Sequence, residues 1–126
     1  RRVLKPGGRL FAAANGQDHM AELWAMVLQV AGADRGANRS DLYFGLENGS
    51  EQLAVWFTHV ERRDYPDSLL VTEAEPLIAY ATSSELWGVQ GDMAATRLLV
   101  ERVQQQLASE GMIRITKNSG MFVAHV

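Results

Sequence analysis

A chain that reads Leu4-Lys5-Pro6-Gly7-Gly8-Arg9-Leu10-Phe11 near its start is tightly constrained there. Pro6 fixes its own φ and pushes Lys5 toward extended backbone, so no helix can run through. Gly7 and Gly8 tolerate positive φ, which a Pro-Gly turn of type II requires at its third position. Arg9-Leu10-Phe11-Ala12-Ala13-Ala14 is a short, mostly apolar run, which predicts a strand covered on both faces. The segment reads as the end of one element, a tight turn and the start of a buried strand.

Beyond it, Asn15-Gly16-Gln17-Asp18 is a turn into a helix. Met20, Leu23, Trp24, Val27, Leu28 and Ala31 follow helical spacing, Asp18 or Asn15 is the expected cap, and Gly32 is the expected stop. Residues 33–41 read as a polar loop from their Gly, Asn and Arg content. Asn48-Gly49-Ser50-Glu51 has capping-box spacing and opens a short helix whose apolar face is Leu53, Trp56 and Phe57. His59 to Tyr65 predicts a strand so rich in charge that it belongs at or near a sheet edge. Pro66-Asp67 is read as a turn, with a brief extension at Leu69 to Val71. A second capping box, Thr72 to Glu75, precedes a helix with Pro76 in its first turn. After a break at Gly88 to Gly91, the longest helix runs from Asp92 to Glu110, with Thr96, Leu99, Val100, Val103 and Leu107 inward and Gly111 as its stop. Ile113 to Thr116 and Met121 to Val126 predict two strands joined as a hairpin by a turn at Lys117 to Gly120. The order is strand, helix, helix, strand, helix, helix, strand, strand, an α/β layout with a mixed sheet.

At 126 residues the chain can build one core but not two. Charges interrupt its apolar residues throughout, so no segment reaches membrane-spanning length and no membrane is expected as partner. The net charge of −3 gives no general pull toward phosphate backbones, which makes nucleic acid a poor first guess. The absence of cysteine excludes disulfides and thiolate metal sites and fits a cytoplasmic protein.

Several segments, taken in order, resemble one family. Leu4-Lys5-Pro6-Gly7-Gly8 closely resembles the turn before the fifth strand of class I S-adenosylmethionine (SAM)-dependent methyltransferases. Asn15-Gly16-x-x-His19-Met20 resembles the segment after that strand in a bacterial subgroup of small-molecule-type methyltransferases. Phe44-Gly45-Leu46-Glu47-Asn48-Gly49, Tyr65-x-Asp67-Ser68-Leu69 and Ile115-Thr116-Lys117-x-x-Gly120-Met121-Phe122-Val123 fit the same subgroup. The resemblance spans essentially the whole chain. It implies the C-terminal half of a Rossmann-like methyltransferase fold, one partial domain over residues 1–126 that lacks the cofactor-binding N-terminal half. These enzymes hold SAM with a glycine-rich loop after their first strand. Here Pro6-Gly7-Gly8 precedes a strand, and Gly32 to Gly36 lies in a polar loop, so neither offers that context. SAM is therefore expected as cofactor of the intact enzyme, beside a small-molecule methyl acceptor, and no cofactor site is expected in this chain alone.

In open α/β sheets the ligand crevice lies beyond the carboxyl ends of the strands, which here means Asn15, Gly16, Gln17, Asp18 and His19. His19 is the candidate general base or substrate contact, because its ordinary pKa lies near neutrality; equally, it can cap or pack on the first turn of the helix. Asn15 and Gly16 are candidate substrate contacts, with capping as the other role open to Asn15. Arg35, Arg39, Asp41 and Tyr43 lie in a loop able to cover substrate, or are simply solvated; Arg35 and Tyr43 are the residues singled out for substrate. Trp24, Trp56 and Trp87 read as core or interface residues. His59 and His125 are far apart in sequence, no His and carboxylates share metal-ligand spacing, and no metal is expected. Two functions remain open. One is the substrate-side half of a methyltransferase, inactive alone. The other is a non-catalytic module that pairs with another copy through the strand at 9–14, since that strand would offer an unpaired apolar edge; a homo-oligomer is expected.

Overall fold

The structure, a computed structural model, describes residues 2–32 and 44–126. In chain order these form β1 (Arg9–Asn15), α1 (Ala21–Ala31), α2 (Gly49–Ala54), β2 (His59–Val71), α3 (Ala74–Thr82), a 3-10 turn at Glu85–Trp87, α4 (Met93–Glu110) and β3 (Ile113–His125). The fold is α/β, with the three strands in the order β1-β3-β2. β1 runs antiparallel to β3, Arg9 facing His125 at one end and Asn15 facing Ser119 at the other. The sheet is antiparallel throughout rather than mixed.

The opening turn forms as expected. Gly7 has φ 74°, and the Gly8 N–H closes the turn on the Lys5 carbonyl at 2.8 Å. β1 follows at Arg9, but only one of its faces is covered. Leu10, Ala12 and Ala14 are half-buried, whereas Phe11 on the other face is 59% exposed. The expected two-sided cover is absent among the described residues because only the Leu10 side meets an apolar cluster.

Two predicted breaks do not occur. β2 continues through Pro66-Asp67 as one strand. As an edge strand it tolerates a residue without an N–H, so proline does not end it. β3 likewise replaces the predicted hairpin. The residues read as its turn are paired instead: Ser119 opposite Asn15 and Gly120 opposite Ala14, while the Asn118 carbonyl accepts the Gly16 N–H at 2.9 Å. Gly120 is there for space, since a Cβ would lie 2.8 Å from both the Arg63 carbonyl oxygen and Leu46 Cδ2.

The described residues divide into two compact units, each with its own apolar cluster, where chain length suggested a single core. The first comprises 2–19, 44–67 and 117–126. Its core is Leu46, Leu53, Phe57, Phe122 and Ala124, with Phe44 edge-on to Phe122 at 5.5 Å. Asn48 occupies the N-cap of α2, yet its side chain accepts the Gly45 N–H at 2.8 Å and no capping box closes. Trp56, expected inward with Leu53 and Phe57, is 63% exposed.

The second unit comprises 20–32 and 68–116. Leu23, Trp24 and Val27 of α1, Leu77 and Ala81 of α3, and Leu99 and Val103 of α4 enclose Ile113 and Ile115 in one apolar cluster. Trp24 and Trp87 pack at 4.4 Å, with Tyr80 edge-on to Trp87. Thus Trp24 and Trp87 are core residues as expected, while Leu28 is exposed. The caps at α4 match the expectation: Asp92 accepts the Ala95 N–H at 2.9 Å, and Gly111 ends the helix at φ 76°. α3 is capped by Glu73 without a side-chain bond, so its capping box also fails, though Pro76 does fall in the first turn. α1 starts from Met20 at φ 61°, a left-handed conformation rare for a residue with a Cβ. Thr116 holds that start: its carbonyl accepts the Met20 N–H at 2.8 Å, and its N–H and hydroxyl donate to the Glu22 carboxylate at 2.8 and 2.6 Å. No helix among the described residues is long and apolar enough to cross a membrane.

Candidate functional site

Within the first unit, the carboxyl end of β1 gathers the most concentrated set of polar side chains that the sequence marked for function. The turn from Asn15 to His19 leaves β1 and is held by two other segments, Leu46-Glu47 before α2 and Asn118-Ser119 in the middle of β3. The Asn15 carbonyl accepts the Leu46 N–H at 3.2 Å, and its side-chain oxygen accepts the Ser119 hydroxyl at 2.9 Å. The Gln17 N–H donates to Glu47 Oε1 at 2.9 Å. The Asn118 amide donates to the Asp18 carboxylate. His19 Nδ1 accepts the Asn118 backbone N–H at 3.1 Å, with Ser119 Oγ 3.5 Å away. The site is thus an interlocked turn rather than an open loop.

Gly16 is the pivot. It is buried, its carbonyl accepts the His19 N–H at 3.2 Å, and a Cβ there would collide with the Asn118 amide and lie 3.0 Å from Glu47 Oε1. Any side chain would push the three segments apart. Glu47 reaches the turn because α2 starts close against the sheet: the Cβ that Gly49 lacks would lie 2.6 Å from Phe122 Cζ. Local sequence therefore sets the site at two levels, by glycines that permit close approach and by short polar side chains that bridge it.

The structure brings Asn15, Gly16, Gln17, Asp18 and His19 together, as the sequence suggested. It changes the roles of two of them. Asp18 and Asn15 do not cap α1, because their side-chain oxygens are taken by Asn118 and Ser119. Arg35, Arg39, Asp41 and Tyr43 lie outside the described residues. Glu47, Asn118 and Ser119 are the members that sequence reasoning passed over. Glu47 stood inside a family-like segment without an assigned role, and Asn118-Ser119-Gly120 had the composition of a turn.

A second cluster in the same unit also escaped notice. His59 and His125, read as unrelated, stand edge-on at 5.6 Å. The neighbouring Glu61 is held below the usual carboxylate range, chiefly by the Arg63 guanidinium that bonds both its oxygens at 2.8 and 3.2 Å. Among the described residues, no group of three or more His, Cys, Asp or Glu is arranged to hold a metal ion.

The interlocked turn offers hydrogen-bonding groups rather than an activated nucleophile. Each of its carboxylates accepts an N–H, and the Arg62 guanidinium donates to the Leu46 carbonyl at 2.7 Å. Chemically it is suited to orient a small polar molecule. Comparison with protein-family models and with curated proteins finds no match for the chain.

Proposed function

We propose that the chain is the substrate-side half of a SAM-dependent methyltransferase domain, with a Rossmann-like fold completed by other segments, and that it is inactive alone. One observation carries this reading: three of the five family-like segments, dispersed along the sequence, converge on the carboxyl end of β1. Asn15 to His19 meets Leu46-Glu47 and Asn118-Ser119 through hydrogen bonds between residues as much as 104 positions apart. The Tyr65 to Asp67 segment is tied to the last of them by the ion pair of Asp67 with Lys117 at 3.2 Å. The topology supports the same reading. β1 and β2 are each antiparallel to β3 and so parallel to each other, and a connection containing α1 and α2 joins them. This order is a split β-α-β connection, with the antiparallel β3 between the two parallel strands, and it is compatible with one edge of a Rossmann-like sheet, whose ligands bind beyond the strands' carboxyl ends.

In such an enzyme, SAM supplies the methyl group and this chain's part is positional. Asn15, Gly16 and His19 line the acceptor side, with Arg35 and Tyr43 proposed on the covering loop. Methyl transfer then depends mainly on alignment and exclusion of water. The coding sequence immediately upstream of Arg1 tests the proposal. It predicts an in-frame strand, glycine-rich loop and helix there; a start signal directly before Arg1 refutes it.

The second reading, a non-catalytic pairing module, is favoured by β1 itself. Among the described residues β1 is an edge strand of the sheet, apolar between Leu10 and Ala14, with Phe11 exposed and no proline or lysine to discourage pairing. A two-fold dimer through residues 9–14 would pair that edge. Sedimentation at micromolar concentration decides: this reading predicts a dimer, and a folded monomer contradicts it.

A further inference from the structure

We infer that His19 is a positioning residue that carries its proton on Nε2, and that it does not serve as a general base. The inference rests on the crevice proposed above for its functional meaning, although its test does not. A backbone N–H is a permanent donor, and the one on Asn118 is aimed at His19 Nδ1 from 3.1 Å. Only a lone pair can receive it, so in the neutral ring Nδ1 is bare and the hydrogen is on Nε2. The Ser119 hydroxyl does not compete for that lone pair, since its one hydrogen goes to Asn15 Oδ1 at 2.9 Å.

The consequence is chemical. With Nε2 already protonated, that nitrogen cannot take a proton from a methyl acceptor. Protonating Nδ1 would turn two N–H groups against each other and release the turn from β3. His19 thus holds the turn from Asn15 to His19 in register with Asn118-Ser119. An acceptor that needs deprotonation must use another base.

Long-range proton–nitrogen correlation on the 126-residue chain at neutral pH reads the tautomer directly. The expected spectrum has a protonated Nε2 and an unprotonated Nδ1 for His19; a protonated Nδ1 overturns the inference. Amide exchange at Asn118 reads the tie. His19→Asn keeps an acceptor at the Nδ1 position and should preserve the protection, whereas His19→Gln should raise the exchange rate several-fold. Equal rates in the native chain and both variants would overturn the positioning role. Failure of either result leaves the upstream-sequence test of the methyltransferase reading untouched, so the two can fail separately.

Discussion

Replacing Gly49 with alanine should destabilise the first unit by about 1–2 kcal/mol, although glycine-to-alanine changes in helices usually help. The added methyl would lie 2.6 Å from Phe122 Cζ and 3.1 Å from Phe44 Cζ. Carbon atoms prefer about 3.5–4.0 Å, so one ring must withdraw by roughly an ångström and the other by about half that. Phe122 has little room to do so: it is 0% exposed and packed edge-on against Phe44. Overpacking of this kind costs about 1–3 kcal/mol, and the helical preference of alanine returns at most about 1 kcal/mol. The expected fall in thermal midpoint is several degrees, on the order of 3–6 °C per kcal/mol for a chain of this size. Scanning calorimetry measures it, and Phe122→Leu supplies the control by removing the ring atoms that collide. In the double variant the two losses should sum to less than their separate values. Gly49→Ala melting at or above the native temperature would show that the rings admit the methyl group without cost, and strict additivity with Phe122→Leu would show that Phe122 is not what it meets.

Other consequences follow from the same structure. Glu22→Ala should cost about 2–3 kcal/mol in urea denaturation, because the carboxylate takes both the N–H and the hydroxyl of Thr116. Glu22→Gln, which keeps one acceptor oxygen, should lose roughly half as much; no loss in the alanine variant contradicts this anchor for α1. Glu61 should titrate below an ordinary glutamate when followed by carbon NMR, and Arg63→Met should bring it back up. Because the folded-state value is lowered, any stabilisation is present above the ordinary glutamate range and is lost as pH falls through the lowered value. The pair is exposed, so salt should erase the effect; a Glu61 titration unaltered by Arg63→Met would refute it.

Much of this architecture was legible in local chemistry. Pro6-Gly7, Asp92, Gly111 and the spacing of Leu23, Trp24 and Val27 each act within a few residues, and each does what its type dictates. The failures share another cause, the intervention of distant partners. Asn118-Ser119-Gly120 has turn composition, yet its side chains are used by Asp18 and Asn15 and its backbone by the β1 side of the sheet, so the strand continues. Asp18 and Asn15 were good caps in isolation and became bridges once Asn118 and Ser119 arrived. Pro66 breaks a strand only if its missing N–H is needed, and an edge strand has positions whose N–H faces away from the sheet, where it is not. In the candidate site, Asn15 to His19 was visible because it follows a strand. Glu47 was not, since its place depends on the close approach of Gly49 to Phe122, which no local pattern encodes. The contact of His59 with His125 likewise exists only once β2 and β3 pair.

The most direct test of the central proposal is calorimetric titration of SAM into two samples, the 126-residue chain and the polypeptide encoded by its whole reading frame. No binding to the chain alone and micromolar binding to the longer polypeptide are expected. Micromolar binding to the chain itself would contradict the claim that it is the substrate-side half, and absence of binding to the longer polypeptide would contradict the methyltransferase reading.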